Sequence, residues 1–131
     1  MPIRIVRLGE PRAPGEGLRI GTVRRPPRGV PKAEYARRDY YDVWLPNLAP
    51  SAALMQEGLA AQASGDEATW KRFARGYRAE MKTPECAHLL DTLAALSHHA
   101  SFAVGCYCAD ASRCHRSLLS ELLAERGAQL K

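Results

Sequence analysis

Polar and apolar positions alternate at the start of the chain. In residues 2–8 (PIRIVRL), Ile3, Ile5 and Arg7 fall on one side, a period-two pattern that predicts a short strand. Residues 18–24 (LRIGTVR) read as a second strand through Ile20, Thr22 and Val23, weakened by Gly21. The intervening GEPRAPGEG is a loop by its Gly and Pro content. In DYYDVWLPNLAP (residues 39–50), Val43, Trp44 and Leu45 read as a strand or buried extended segment. From Pro50 the period becomes helical. Ser51 suits an N-cap, and Leu54, Met55 and Leu59 form the apolar side. The turn QASGD ends at Asp66, a second N-cap. A helix over 67–81 then carries Trp70, Phe73, Tyr77 and Met81 at helical spacing, with Lys71, Arg72, Arg75 and Arg78 turned away from that stripe. Thr83-Pro84 starts a third helix with Leu89, Leu90, Leu93 and Leu96 inward and Cys86 as a small buried residue. His88, His98 and His99 read as surface or helix-end residues.

The last third has the order strand, loop, helix. Residues 102–108 (FAVGCYC) are a short apolar run typical of a buried strand, with Phe102, Val104, Cys106 and Cys108 pointing one way. The loop ADASR follows. A helix then begins near Ser112–Cys114, capped by Ser112 or Asp110, with Leu118, Leu119, Leu122 and Leu123 on one side and Gly127 as its stop.

At 131 residues the chain suits one domain. Its apolar runs are far shorter than a membrane span, and its start lacks the apolar core of a signal peptide. These features predict a cytoplasmic protein with no membrane partner. Charge changes the picture more. The net +5 is uneven: residues 1–38 hold ten basic and three acidic groups, whereas residues 39–131 hold nine and eleven. A basic excess points to an anionic partner, either a small molecule or nucleic acid. Fifteen Arg against four Lys, beside 21 Ala, is also what a GC-rich genome produces. Arg24, Arg25 and Arg28, on the loop around Pro26-Pro27, are candidates for an anion clamp or for plain solvation.

Candidate chemistry concentrates after the predicted last strand. In α/β proteins ligands bind beyond the carboxyl ends of strands, where a helix N-terminus offers free N–H groups to an anion. Cys108 falls at the strand end, and Cys114, His115 and Arg116 in the first helical turn. Arg113 and Arg116 favour a thiolate on either cysteine. Three readings compete. The first is a Cys108 or Cys114 nucleophile, with His115 as acid/base and Arg113 or Arg116 holding an oxyanion. A Cys108–Cys114 disulfide is its redox variant. The second is a zinc site formed by Cys106, Cys108, Cys114 and His115. Cys-x-Cys with an adjacent Cys-His is not a zinc-finger spacing, so no metal ligand is assigned. The third is plain packing.

The blocks GCYCADASRCHRSLLSELLAERGA, RFARGYRAEM and DVWLPNLAPS resemble the YeaO-like proteins, the family called domain of unknown function 488. The segment GLRIGTVRRPPRGVPK fits the same family, and the resemblance covers nearly the whole chain in the same order. Many members have Asp at the position of Val23 and Trp at that of Pro26, and lack this cysteine block. The chain therefore resembles a cysteine-bearing branch. The resemblance implies one α/β domain over residues 1–131, a small parallel or mixed sheet flanked by helices, and no established activity. The leading expectation is a cationic, thiol-containing pocket for an anionic small molecule. Cys108, Cys114 and His115 would supply the chemistry, Arg113 and Arg116 would bind the anion, and Arg24, Arg25 and Arg28 would close over it. The alternatives are a non-enzymatic nucleic-acid or anion-binding module and a zinc or redox-sensing site. The residues name no cofactor and no oligomeric state.

Overall fold

The computed structural model describes residues 2–108 and 113–131. Four strands form one parallel sheet in the order β1-β4-β2-β3: β1 (Ile3–Arg7), β2 (Leu18–Gly21), β3 (Val43–Trp44) and β4 (Phe102–Cys106). Four helices accompany it: α1 (Ala52–Ser64), α2 (Glu67–Glu80), α3 (Pro84–Leu96) and α4 (His115–Glu125). The molecule is thus a single compact α/β domain, and the sheet is parallel throughout. No described helix is long and apolar enough to cross a membrane.

The last strand in sequence lies inside the sheet. Val104 of β4 stands opposite Ile5 of β1 and Ile20 of β2, and all five residues of β4 are buried. That explains its unbroken apolar run, since a strand covered on both faces has no polar side to show. Ile3, Ile20, Phe102 and Val104 share one core cluster with residues of all four helices, among them Leu54, Tyr77, Leu90 and Leu119.

Two strands end earlier than the sequence predicts. β2 stops at Gly21 rather than Arg24, and β4 at Cys106 rather than Cys108. The two separate after Thr22, whose N–H and hydroxyl both donate to the Gly105 carbonyl at 3.0 Å. Past that point a side chain replaces the ladder, as the Tyr107 hydroxyl donates to the Arg25 carbonyl at 2.9 Å. Pro26 and Pro27 have no N–H with which to continue it. The parting of these strands forms the upper end of the site described below.

The helix starts follow the capping residues. Ser51 accepts from the Leu54 N–H and Asp66 from the Thr69 N–H, each satisfying a donor the helix leaves free. Helices α1 and α2 meet through two glycines. A Cβ on Gly58 would lie 2.8 Å from the Phe73 ring, and one on Gly76 would lie 2.7 Å from Leu54. Two expected core leucines are instead exposed, Leu59 at 57% and Leu96 at 43%. Helical spacing placed each near the edge of an apolar stripe, and the neighbouring elements cover only the middle of it.

The basic first third is part of the domain. Arg19 is 1% exposed and forms a two-bond pair with Glu16, and it also donates to the carbonyls of Glu10 and Asp39. Arg12 forks onto the Asp42 carboxylate at 2.8 and 3.1 Å. Burial works against ionisation of Glu16 and Asp42, yet bonds from Arg19 and Arg12 hold both carboxyls below their ordinary range. Arg7 and Arg37 pair with Glu10 and Glu34. Among the described residues, four of the ten basic groups of residues 1–38 thus carry carboxylate partners, Arg7, Arg19 and Arg37 within the segment and Arg12 just beyond it.

Candidate active site

Three thiols and an imidazole come together where β4 ends and α4 begins. Cys106 is the last residue of β4 and Cys114 is the N-cap of α4; each is 2% exposed. Their sulfurs are 2.9 Å apart. Cys114 does not cap the helix with its side chain, because its sulfur faces Cys106. The expected caps Asp110 and Ser112 lie outside the described residues. Cys108, two residues past the strand, is the half-buried member of the group.

His115 is buried in the first turn of α4. Its Nε2 is 2.8 Å from the Thr22 carbonyl, which can only accept, so Nε2 carries the proton. Nδ1 is then the basic nitrogen, and it faces the Cys114 sulfur at 3.7 Å. Burial pushes the imidazole below its ordinary value, which keeps it neutral. The Thr22 carbonyl thus sets the tautomer that points a lone pair into the thiol cluster.

The thiols are not equivalent. Donation from the Cys106 thiol, then from that of Cys114, holds Cys108 well below the usual thiol range, against the effect of its partial burial. Gln62 Nε2–H adds a donor 3.6 Å from the Cys108 sulfur. Cys106 is pushed far up, first by its bond to Cys108 and then by its bond to Cys114 and by burial. Contact with Cys106 lowers Cys114, yet its bond to Cys108 and burial hold it up to about 11. Of the three sulfurs, the one nearest solvent is thus the one whose thiolate the surroundings favour.

Cys106, Cys114 and His115 could also offer a metal three ligand atoms within 4.8 Å of one another. Two thiolates on one tetrahedral zinc, each at about 2.3 Å, stand about 3.8 Å apart. The 2.9 Å sulfur pair is closer than that yet longer than a disulfide bond, so the two cysteines are free and would have to move apart to share an ion.

The arginines divide. Arg24 and Arg25 line the same cleft as Cys108. Arg24 donates to the carbonyls of Pro50 at 2.9 Å and Ala49 at 3.1 Å, which holds it against the start of α1. Arg25 is exposed and pairs with no carboxylate among the described residues. Arg116 is 4% exposed and donates to the Cys108 carbonyl at 2.6 Å, while its Nε has no partner. Arg113 turns toward α2, bonding Glu67 at 2.7 Å and lying 5.6 Å over the Trp70 ring. Arg28 is exposed and is not brought to the site; no described residue bonds it. The five guanidinium groups therefore do not converge as one clamp.

Sequence reasoning missed two participants. Gln62 reads as part of a turn yet lies near the end of α1, bonding both the Cys108 sulfur and the Arg113 carbonyl. Thr22 reads as a strand residue and instead lends its carbonyl to His115. No local pattern marks either, because each acts through a partner distant in sequence.

A parallel α/β domain with a Cys-Cys-Cys-His cluster at a strand-to-helix junction defines the class of protein. The family model described as the active DUF488-N3 subclade (DUF488-N3a) matches residues 3–127. The chain belongs to the DUF488 family, as its sequence blocks suggest. Comparison with curated proteins and with solved structures gives no match.

Proposed function

We propose that this protein is a thiol enzyme acting on an anionic small molecule, with Cys108 as the nucleophile. The observation that carries the reading is the placement of Cys108. It is the partly exposed sulfur of the cluster, it faces a cleft, and the Gln62 amide of α1 donates to it at 3.6 Å. A thiolate so held supplies the electron pair for attack on an electrophilic centre. The leaving group takes the Cys114 thiol proton, because His115 Nδ1, which faces that sulfur, carries a lone pair and has no proton to give. His115 thus orients the Cys114 thiol and acts through it rather than directly on Cys108. Arg24 and Arg25, on the cleft wall, attract the anion.

Two further observations fit. The matched subclade is described as active. The clustered thiols are unpaired, which suits the reducing cytoplasm. A nucleic-acid module has less support, because Arg7, Arg12, Arg19 and Arg37 of the basic segment already carry carboxylate partners.

Alkylation tests the reading. Iodoacetamide at low stoichiometry should label Cys108 in the native protein, located by peptide mass, at a rate nearly constant from pH 9 to about 5 because the thiolate persists. Cys108→Ser should abolish the label. A rate that falls tenfold per unit below about pH 8.5, the ordinary cysteine value, would sink the proposal.

A further inference from the structure

The cleft beside Cys108 is not built for a bare oxyanion. It has a volume of about 370 Å³ and lies between the Val23–Arg25 segment and α1. This is within the range of about 300–1,000 Å³ typical of small-molecule sites. One wall is apolar, made by Val23, Pro50, Met55 and Leu59. Met55 and Leu59 are one helical turn apart on α1, so their side chains form one continuous strip. Leu59 is 57% exposed and Met55 is half-buried, which leaves that strip open to whatever enters. A lone exposed leucine needs no explanation. A leucine that extends an apolar wall toward a reactive sulfur is a contact surface.

The polar groups of the cleft are few and one-sided. No described lining residue is acidic. Arg24 is fixed on two backbone carbonyls, so Arg25 is the cation free to turn onto a ligand. Arg28 is elsewhere, and Arg113, although it lines a smaller pocket on the other side of Cys108, has its guanidinium turned onto Glu67. Phosphate or sulfate alone would find one mobile guanidinium and a greasy wall. A ligand with an apolar body and one charged end would satisfy both.

We infer that the cleft takes small amphipathic anions: an apolar chain or ring carrying a single carboxylate- or phosphate-type group. The apolar part lies along Val23, Met55 and Leu59, and the charge meets Arg25 at the rim. This rests on the reading of Cys108 as the reacting sulfur, since it names the substrate class of that site, and it can be tested apart from it.

Two measurements on the full chain serve. In the first, Cys108 is alkylated by iodoacetamide, by N-hexyl iodoacetamide and by 6-iodoacetamidohexanoate, each rate divided by that of glutathione with the same reagent. The expected order is hexanoate reagent, then hexyl reagent, then iodoacetamide, with about tenfold between the extremes, the scale of one apolar or ionic contact. Leu59→Gln should shrink the gain from the chain and Arg25→Gln the gain from the charge, each read as a ratio to iodoacetamide on the same variant. Ratios that stay within twofold across the three reagents overturn the inference. In the second, millimolar octanoate should raise the thermal midpoint of both the native and the Cys108→Ser chain, less so with Arg25→Gln, while inorganic phosphate should not. No shift with octanoate, or equal shifts with octanoate and phosphate, overturns it whatever Cys108 does. If octanoate binds but iodoacetamide reacts no faster with Cys108 than with glutathione, the thiol reading fails and the amphipathic site stands.

Discussion

At the scale of single residues, the site depends on where protons rest. His115 is buried and neutral, with Nε2–H committed to Thr22 and Nδ1 turned to Cys114. Because burial depresses its folded-state value below the ordinary 6.5, the unfolded chain binds a proton that the native chain does not as pH falls through that region. Its contribution to stability is therefore complete above 6.5 and lost on acidification. Denaturant midpoints measured from pH 7.5 to 5 should fall for the native protein and fall less for His115→Gln. The carboxyls of Glu16 and Asp42 are held low and titrate beneath that window. A midpoint equally flat in both proteins would contradict the buried neutral imidazole. The residue types at the junction were legible in the sequence, because Cys, His and Arg stand within nine positions from Cys108 to Arg116. Their unequal roles were not, because burial and the partners of each thiol come from other elements.

At the scale of elements, α1 is held to the site by its contact with α2. Phe73 fills the space over Gly58, and Leu54 that over Gly76, so α1 lies close enough for Gln62 to reach the Cys108 sulfur. Gly58→Val should destabilise the fold by about 1–3 kcal/mol through overpacking, measured by urea unfolding. Displacing α1 should also raise the pH at which Cys108 labelling begins to fall. Unchanged labelling in a destabilised variant would show that Gln62 does not tune the thiol. The helices were readable from their period and caps: Ser51 and Asp66 start α1 and α2 as expected. The strand ends were not. Residues 18–24 and 102–108 look continuous, but the Tyr107 hydroxyl bonds the Arg25 carbonyl where the ladder would go on.

For the whole molecule, the basic first third has two roles. Arg19 and Glu16 form a buried pair that ties the loop before β2 to the sheet, with Asp39 and Glu10 carbonyls taking the remaining donors. Arg19→Ala leaves Glu16 buried and unpaired, a loss of about 3–5 kcal/mol. Arg28→Ala removes an exposed side chain and should change stability by less than about 0.5 kcal/mol. Thermal and chemical unfolding of the two variants provide the comparison, and similar losses would mean that the buried pair does not anchor the fold. Arg24 and Arg25, the next arginines along, are the ones that line the cleft. The arginines of the basic first third are thus divided between internal pairing and the cleft wall.

The sequence by itself determined the α/β class, the helix starts and the segment that carries the chemistry. Period, capping and residue type are local properties, and a local reading recovers them. Tertiary structure alone decided that β4 lies between β1 and β2, that Arg24 and Arg25 but not Arg28 reach the cleft, and that Thr22 and Gln62 serve His115 and Cys108. Each of these is a contact between residues far apart in the chain. Such contacts are set by which strands pair and which faces pack, and no stretch of the sequence contains that information alone.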